Sequence, residues 1–398
     1  MNNRLDEVQA SCDISKPAAI KFVVLIGVVS LFSDFTYEGA RSITGPFLAV
    51  LGASATAVGI VAGFGELIGY ALRLASGYFA DKTRQYWTIV FFGYAINLLA
   101  VPLLALAGHW EIAAVLMVAE RMGKAIRTPA RDVMLSCASD QIGRGWGFGL
   151  HEALDQIGAI LGPLVVAAVF HFRGTYQAGF GLLLVPALIA LSVLFTAYKL
   201  YPNPHDLQSA SVKLQSKGFP RAFWFYVIAI GCVAAGYADF PLVAYHFKKV
   251  STVPDSWIPI FYAVAMGVDA LAALVFGRLF DELGLLVLVI AVLLSSLFAP
   301  LVFMGGFHWA LAGMALWGLG MGAQESIMRA AVAELVPTER LGFAFGVFNT
   351  GYGVFWFVGS ALMGVLYDIS VSTLIVFSVA SQLISVPILL ASMKEIRH

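Results

Sequence analysis

Charge is what this chain has least of. Asp, Glu, Lys and Arg make up 12% of its 398 residues, about half the share of a typical soluble domain. The charges cancel, 24 basic against 24 acidic, so no basic field exists to hold nucleic acid and no such partner is expected. Cysteine is scarce: Cys12, Cys137 and Cys232 are scattered and odd in number, which gives no disulfide framework, zinc site or redox pair. No metal or cofactor is expected. Nucleotide-driven work is disfavoured, because there is no Gly-x-x-x-x-Gly-Lys-Ser/Thr loop and no polar stretch long enough to form a soluble domain. Ser, His and Asp occur, but no spacing joins a nucleophile to its base, so catalysis is not expected. Residues 1–19 mix Arg4, Asp6, Glu7, Asp13 and Lys16 without an apolar core or a small-residue cleavage site. The first apolar run is therefore expected to act as an uncleaved insertion signal.

What is present is apolar. Hydrophobic residues account for 60% of the chain and the mean hydropathy is +0.85, which places it in a lipid bilayer. Apolar runs of about 20 residues, the length that crosses a bilayer as a helix, fall near 21–50, 55–80, 87–107, 111–137, 146–171 and 175–198. A second set falls near 220–248, 256–280, 285–305, 308–335, 342–367 and 371–393. The expected fold is all-α and integral to the membrane, with twelve transmembrane helices in two six-helix bundles, 21–198 and 220–393. A tail of 1–20, a linker of 199–219 carrying Pro202, Pro204, Asp206, Lys213 and Lys217, and a tail of 394–398 complete it. With both termini inside, the cytoplasmic loops hold Lys82, Arg84, Arg144, Lys199, Lys213, Lys217, Arg221, Arg340, Lys394 and Arg397, against Arg173, Lys248 and Lys249 outside. That bias predicts cytoplasmic termini in a prokaryotic inner membrane.

The two sets are related. Gly77-Tyr78-Phe79-Ala80-Asp81 closes the second run, and Gly277-Arg278-Leu279-Phe280-Asp281 closes the eighth, two hundred residues later. A repeat at half the chain length is evidence of architecture, and in a membrane protein two related halves point to a transporter. Twelve spans, a polar linker and Gly-x-x-x-Asp after spans two and eight resemble the major facilitator superfamily over nearly the whole chain. The loop pattern is degenerate in each copy: Asp81-Lys82-Thr83-Arg84 lacks the family's glycine, and Asp281-Glu282-Leu283-Gly284 lacks its basic residues. The resemblance implies gating by these loops. Glycine at a span end lets a backbone approach closely, and the aspartate can meet a helix N-terminus or a cation. Two latches are expected, Asp81 with Arg131 and Asp281 with Arg329, breaking when the cavity opens inward. On span five Gly149, Gly158, Gly162 and Pro163 resemble a motif of the antiporter branches, with Val166-Ala167 in place of its closing glycines. A close contact there, bent at Pro163, is expected to seal the halves together.

Ionisable residues inside spans carry the rest, since each costs about 2.5–3.5 kcal/mol at the bilayer centre unless paired or hydrated. Asp34, Glu38 and Arg41 of span one lie four and three apart, on one face. Glu66 and Arg73 share a face of span two. Both ladders should look into a central cavity. Span four carries Glu120, Arg121, Lys124, Arg127 and Arg131, mostly in steps of four and three, a row that attracts anions or needs carboxylates opposite. Glu152 and Asp155 of span five, with Glu325 of span ten, are candidate partners. Gln324, Glu325, Asp239 and Asp269 populate a sparser second half. Asp34, Glu38, Glu325 and then Asp239 are the proton-coupling candidates. Phe35, Tyr37, Phe240, Tyr245, Trp317, Tyr352 and Trp356 could form an apolar wall for a small-molecule substrate.

These features lead to a secondary transporter, expected as a monomer, that exports a small organic compound in exchange for protons. Two alternatives stay open: a proton-linked importer or facilitator of an organic anion, and a transporter-like receptor or assembly factor that moves nothing.

Overall fold

The computed structural model describes residues 15–202, 218–337 and 340–397. Every regular element among them is helical. The first half comprises α1 (Lys16–Val50), α2 (Ala55–Thr83), α3 (Tyr86–Leu103), α4 (Trp110–Asp140), α5 (Arg144–Arg173), α6 (Tyr176–Leu182) and α7 (Leu184–Leu200). The second comprises α8 (Arg221–Gly236), α9 (Phe240–Val250), α10 (Ile258–Leu283), α11 (Leu286–Ser295), α12 (Phe298–Met304), α13 (Phe307–Leu335), α14 (Leu341–Ile369) and α15 (Val371–Arg397). Most of the expected linker lies outside the described residues.

Ten of the resulting segments are long and apolar enough to cross a membrane. Helices also form where spans four and ten are expected, 31 residues in α4 and 29 in α13. Their polar and charged positions keep them below that level of hydropathy. Span seven is broken: α8 stops at Gly236, Asp239 is extended with ψ 142°, and α9 restarts with proline in its first turn, where a missing N–H costs nothing.

Here the face at which α1 begins and α15 ends is called the near face. At the opposite, far face the halves are in close contact. A Cβ on Gly59 would collide with the carbonyl of Ser360, and one on Gly364 would lie 2.6 Å from the carbonyl of Ala55. Gly45 of α1 is pressed against the carbonyl of Pro241 in the same way. The Asp368 carboxylate, at the end of α14, accepts from the Ala55 and Thr56 backbone N–H groups at 3.3 and 2.9 Å and from the Thr56 hydroxyl at 2.7 Å. It caps the N-terminus of α2 from the other half. Tyr245 adds a bond from its hydroxyl to the Ala53 carbonyl at 3.2 Å.

Three expectations need correction. Gly158 and Gly162 do permit close packing, but against the Leu31 and Phe35 carbonyls of α1, inside the first half, and nothing lies within 4 Å of a Cβ on Gly149. Sequence spacing identifies a small-residue face and leaves open which helix it meets. Gly77 faces Pro129 at 3.6 Å and Gly277 faces Ser326 at 3.9 Å, equivalent contacts in the two halves but with side chains at ordinary distance, not a close backbone. Cys137 is disulfide-bonded and Cys232 is free, whereas the sequence offers no reason to pair any cysteine.

Candidate transport cavity

A cavity of about 490 Å³ lies between the halves, within the range of small-molecule sites. Its lining runs from Arg41 and Glu66 at the roof to Arg131, Asp132, Met328 and Phe348 toward the near face. The sealed far end closes it above.

The roof is an ion network that joins the halves. Arg41 of α1 lies 3.2 Å from Glu66 of α2, 4.0 Å from Glu38 and 3.6 Å from Asp239, at the break of span seven. Arg121 of α4 reaches Glu66 at 3.2 Å and Glu120 at 3.4 Å. Asp239 is 1% exposed and accepts from Trp356 Nε1 at 2.9 Å and Ser360 Oγ at 2.7 Å. A second link between the halves runs from the Tyr262 hydroxyl of α10 to Glu38 at 2.5 Å. Such geometry offsets the cost of burying the charges, and removing one partner of a buried pair typically costs about 3–5 kcal/mol. Glu120 turns into a smaller side pocket, where Asn97 donates to it at 2.8 Å.

Below the roof, the first half supplies charge. Asp34, Arg73, Lys124, Arg127, Arg131, Glu152 and Asp155 all line the cavity, so both sequence ladders face it, as do the cations of the span-four row, while Glu120 does not. Lys124 donates to the Tyr37 hydroxyl at 2.7 Å, and Arg127 rides over the Tyr94 ring at 4.1 Å. The second half supplies Tyr262, Met266, Trp317, Met321, Tyr352 and Trp356. Its polar groups are Gln324, which accepts from Tyr352 at 3.1 Å, Glu325, and Asp269, buried with Oδ1 lacking a partner. Of the expected wall, Tyr37, Trp317, Tyr352 and Trp356 line the cavity, whereas Tyr245 belongs to the far seal and Phe240 packs on Tyr262.

The latch between Asp81 and Arg131 is not closed in this structure. Arg131 pairs with its neighbour Asp132 at 2.8 Å and donates to Ser30 at 3.2 Å, while Asp81 and Asp281 are exposed. Arg84 caps α2 with φ 55°. The side chain of Arg329 lies outside the described residues.

Sequence reasoning missed a cluster around His151. Its Nε2 lies 2.8 Å from Ser30 Oγ and its Nδ1 lies 3.6 Å from Asp155, an i,i+4 pairing that spacing alone could have flagged. The ligand atoms of His151, Glu152 and Asp155 fall within 4.8 Å of one another, but the Arg131 guanidinium on Ser30 sets a fixed positive charge beside any cation there. Ser30 itself is fully buried, so the triad offers no accessible nucleophile.

Comparison with known proteins places this geometry among transporters. The profile of the Major Facilitator Superfamily matches residues 26–391. The chain is 40% identical to the uncharacterized protein Rv2265 of Mycobacterium tuberculosis, over 95% of this chain and 94% of that one. It is 25% identical to the uncharacterized MFS-type transporter MJ1317 of Methanocaldococcus jannaschii, over 88% and 89%. Among solved structures, a bacterial homologue of the human lysosomal transporter Spinster, inward-facing and unoccupied, superposes with a TM-score of 0.71 at 13% identity, covering 96% of this chain and 97% of that one. The nucleoside transporter NupG gives 0.72 at 14%, covering 95% and 99%. At such identities the likeness is one of fold.

Proposed function

The chain belongs to the Major Facilitator Superfamily, and on that premise we propose that it exports a small organic compound in exchange for protons, by alternating access. The observation that carries the proposal is the roof link from Arg41 to Asp239, which spans the two halves at the break of span seven. Broken spans at the interface between repeats are where transporters hold substrate and coupling ion.

The cycle follows from charge. With the cavity reaching Arg131, Asp132, Met328 and Phe348 toward the near face, the face that the loop charges mark as cytoplasmic, deprotonated Asp239 holds Arg41 and the roof is shut. Parting the halves at the far face separates that pair and strands the buried Asp239 carboxylate, at a cost of several kcal/mol. Substrate entering from the near face competes for Arg41 and loosens the link. Once the cavity faces outward, a proton on Asp239 removes the stranded negative charge, while Glu66 and Glu38 keep Arg41 compensated. The return to the near-open state restores the pair and expels the proton inward.

The test is proton movement in proteoliposomes with a pH dye inside, challenged in turn with organic anions, cations and neutral amphiphiles. A substrate-evoked pH change that vanishes in Asp239→Asn supports the reading, and its sign gives the direction. Binding of a compound without any pH response would abandon proton coupling in favour of a uniporter or a receptor.

A further inference from the structure

Two cations on α4, Arg127 fully buried and Lys124 partly so, have no carboxylate at pairing distance among the described residues. Arg127 is 1% exposed, and its Nε and Nη1 have no hydrogen-bond partner. Lys124, three residues earlier on the same face, is held by the hydroxyl of Tyr37 and lies over its ring at 4.1 Å. Both line the cavity. Among the described residues neither has a carboxylate within 4.0 Å, whereas Arg41, Arg121 and Arg131 each do. Asp34 and Asp155 line the same space but stop short of pairing distance. A guanidinium kept out of water is strongly disfavoured unless an anion meets it, and its planar fork suits a carboxylate, sulfonate or phosphate ester.

The opposite wall has a different chemistry. Met266, Trp317, Met321, Phe348 and Tyr352 of the second half face the cavity, and thioethers with aromatic rings accept apolar bodies of varied shape. We propose that Lys124 and Arg127 form the subsite for the head group of an amphipathic organic anion, whose apolar or aromatic body lies against the second half. This rests on the transport reading above and names its substrate class. It is also consistent with the energetics of export: an anion leaving while a proton enters moves charge in the same sense twice, so the membrane potential drives the exchange.

The experiment uses the full chain in nanodiscs and a matched series of probes: phenylacetate and naphthalenesulfonate against phenylacetamide and phenethylamine. Thermal unfolding is followed at increasing probe concentration. The anions are expected to stabilise the protein at concentrations about tenfold or more below those of the neutral and cationic analogues. Arg127→Gln and Lys124→Gln should each abolish that preference, with Arg127→Lys keeping part of it. Lys124→Met serves if Arg127→Gln does not fold. Equal or tighter binding of the amide or the amine, or no stabilisation by either anion, overturns the subsite. If the amine binds and still evokes a proton movement that Asp239→Asn abolishes, the transport reading stands and only the anion subsite falls.

Discussion

The two halves descend from one repeat yet face their shared cavity with different chemistry. The first half presents Asp34, Arg73, Lys124, Arg127 and Asp155, and the second presents Trp317, Met321, Tyr352 and Trp356. Among the described residues, the first wall carries all the cations of the cavity and the second most of its aromatic and thioether surface, with the carboxylates Asp269 and Glu325 among them. The walls meet at the roof, where Arg41 of the charged half finds Asp239 of the other. That contact is where a change in charge can become a movement of one half against the other.

The comparison is broken most severely at the roof. Arg41→Gln leaves Asp239 buried without its cation and is expected to cost about 3–5 kcal/mol, seen as a fall in thermal unfolding temperature. The double substitution with Asp239→Asn should recover much of that loss. If the two effects simply add, the residues are not a coupled pair. The next effect acts on the far seal: Gly364→Val sets a side chain against the Ala55 carbonyl and the Thr56 Cα, an overpacking of about 1–3 kcal/mol. It should expose the far end of the cavity to an impermeant thiol reagent at an introduced cysteine, Ala62→Cys. Unchanged labelling would mean that the contact is not a gate.

Much of the site was visible in the sequence, and the reason is burial cost. A charge inside a span is costly unless paired or hydrated, and the ladders Asp34-Glu38-Arg41 and Glu66-Arg73 and the α4 cations all face the cavity, with Glu120 turned into the side pocket. Partners were harder to foresee. Asp239 has no Lys or Arg within two helical turns along the chain; its cation comes from α1, 198 residues away. The same limit applies to Gly158 and Gly162, whose spacing marks a face without naming the helix it meets. Asp368 was missed because its function depends on α2 beginning beside it, a matter of tertiary placement alone.

Smaller effects sharpen the contrast between walls. Trp356→Phe keeps the aromatic surface but removes the indole N–H from Asp239, which should cost about 1–2 kcal/mol in unfolding experiments. Affinity for an apolar substrate should change less than proton coupling does. Asp368→Ala removes the cap on α2, worth about 1 kcal/mol, and should raise the far-open population several-fold in the same thiol assay.

The roof link is tested most directly by the distance between its two halves. Spin labels at Val50→Cys and Ser372→Cys, near the far ends of α1 and α15, report far-face opening by pulsed electron resonance in nanodiscs, with no substrate needed. If Asp239 holds Arg41 and its protonation frees the halves, Asp239→Asn, which imitates the protonated acid, will shift the distances to longer values than in the parent. An unchanged distribution in Asp239→Asn would contradict the account.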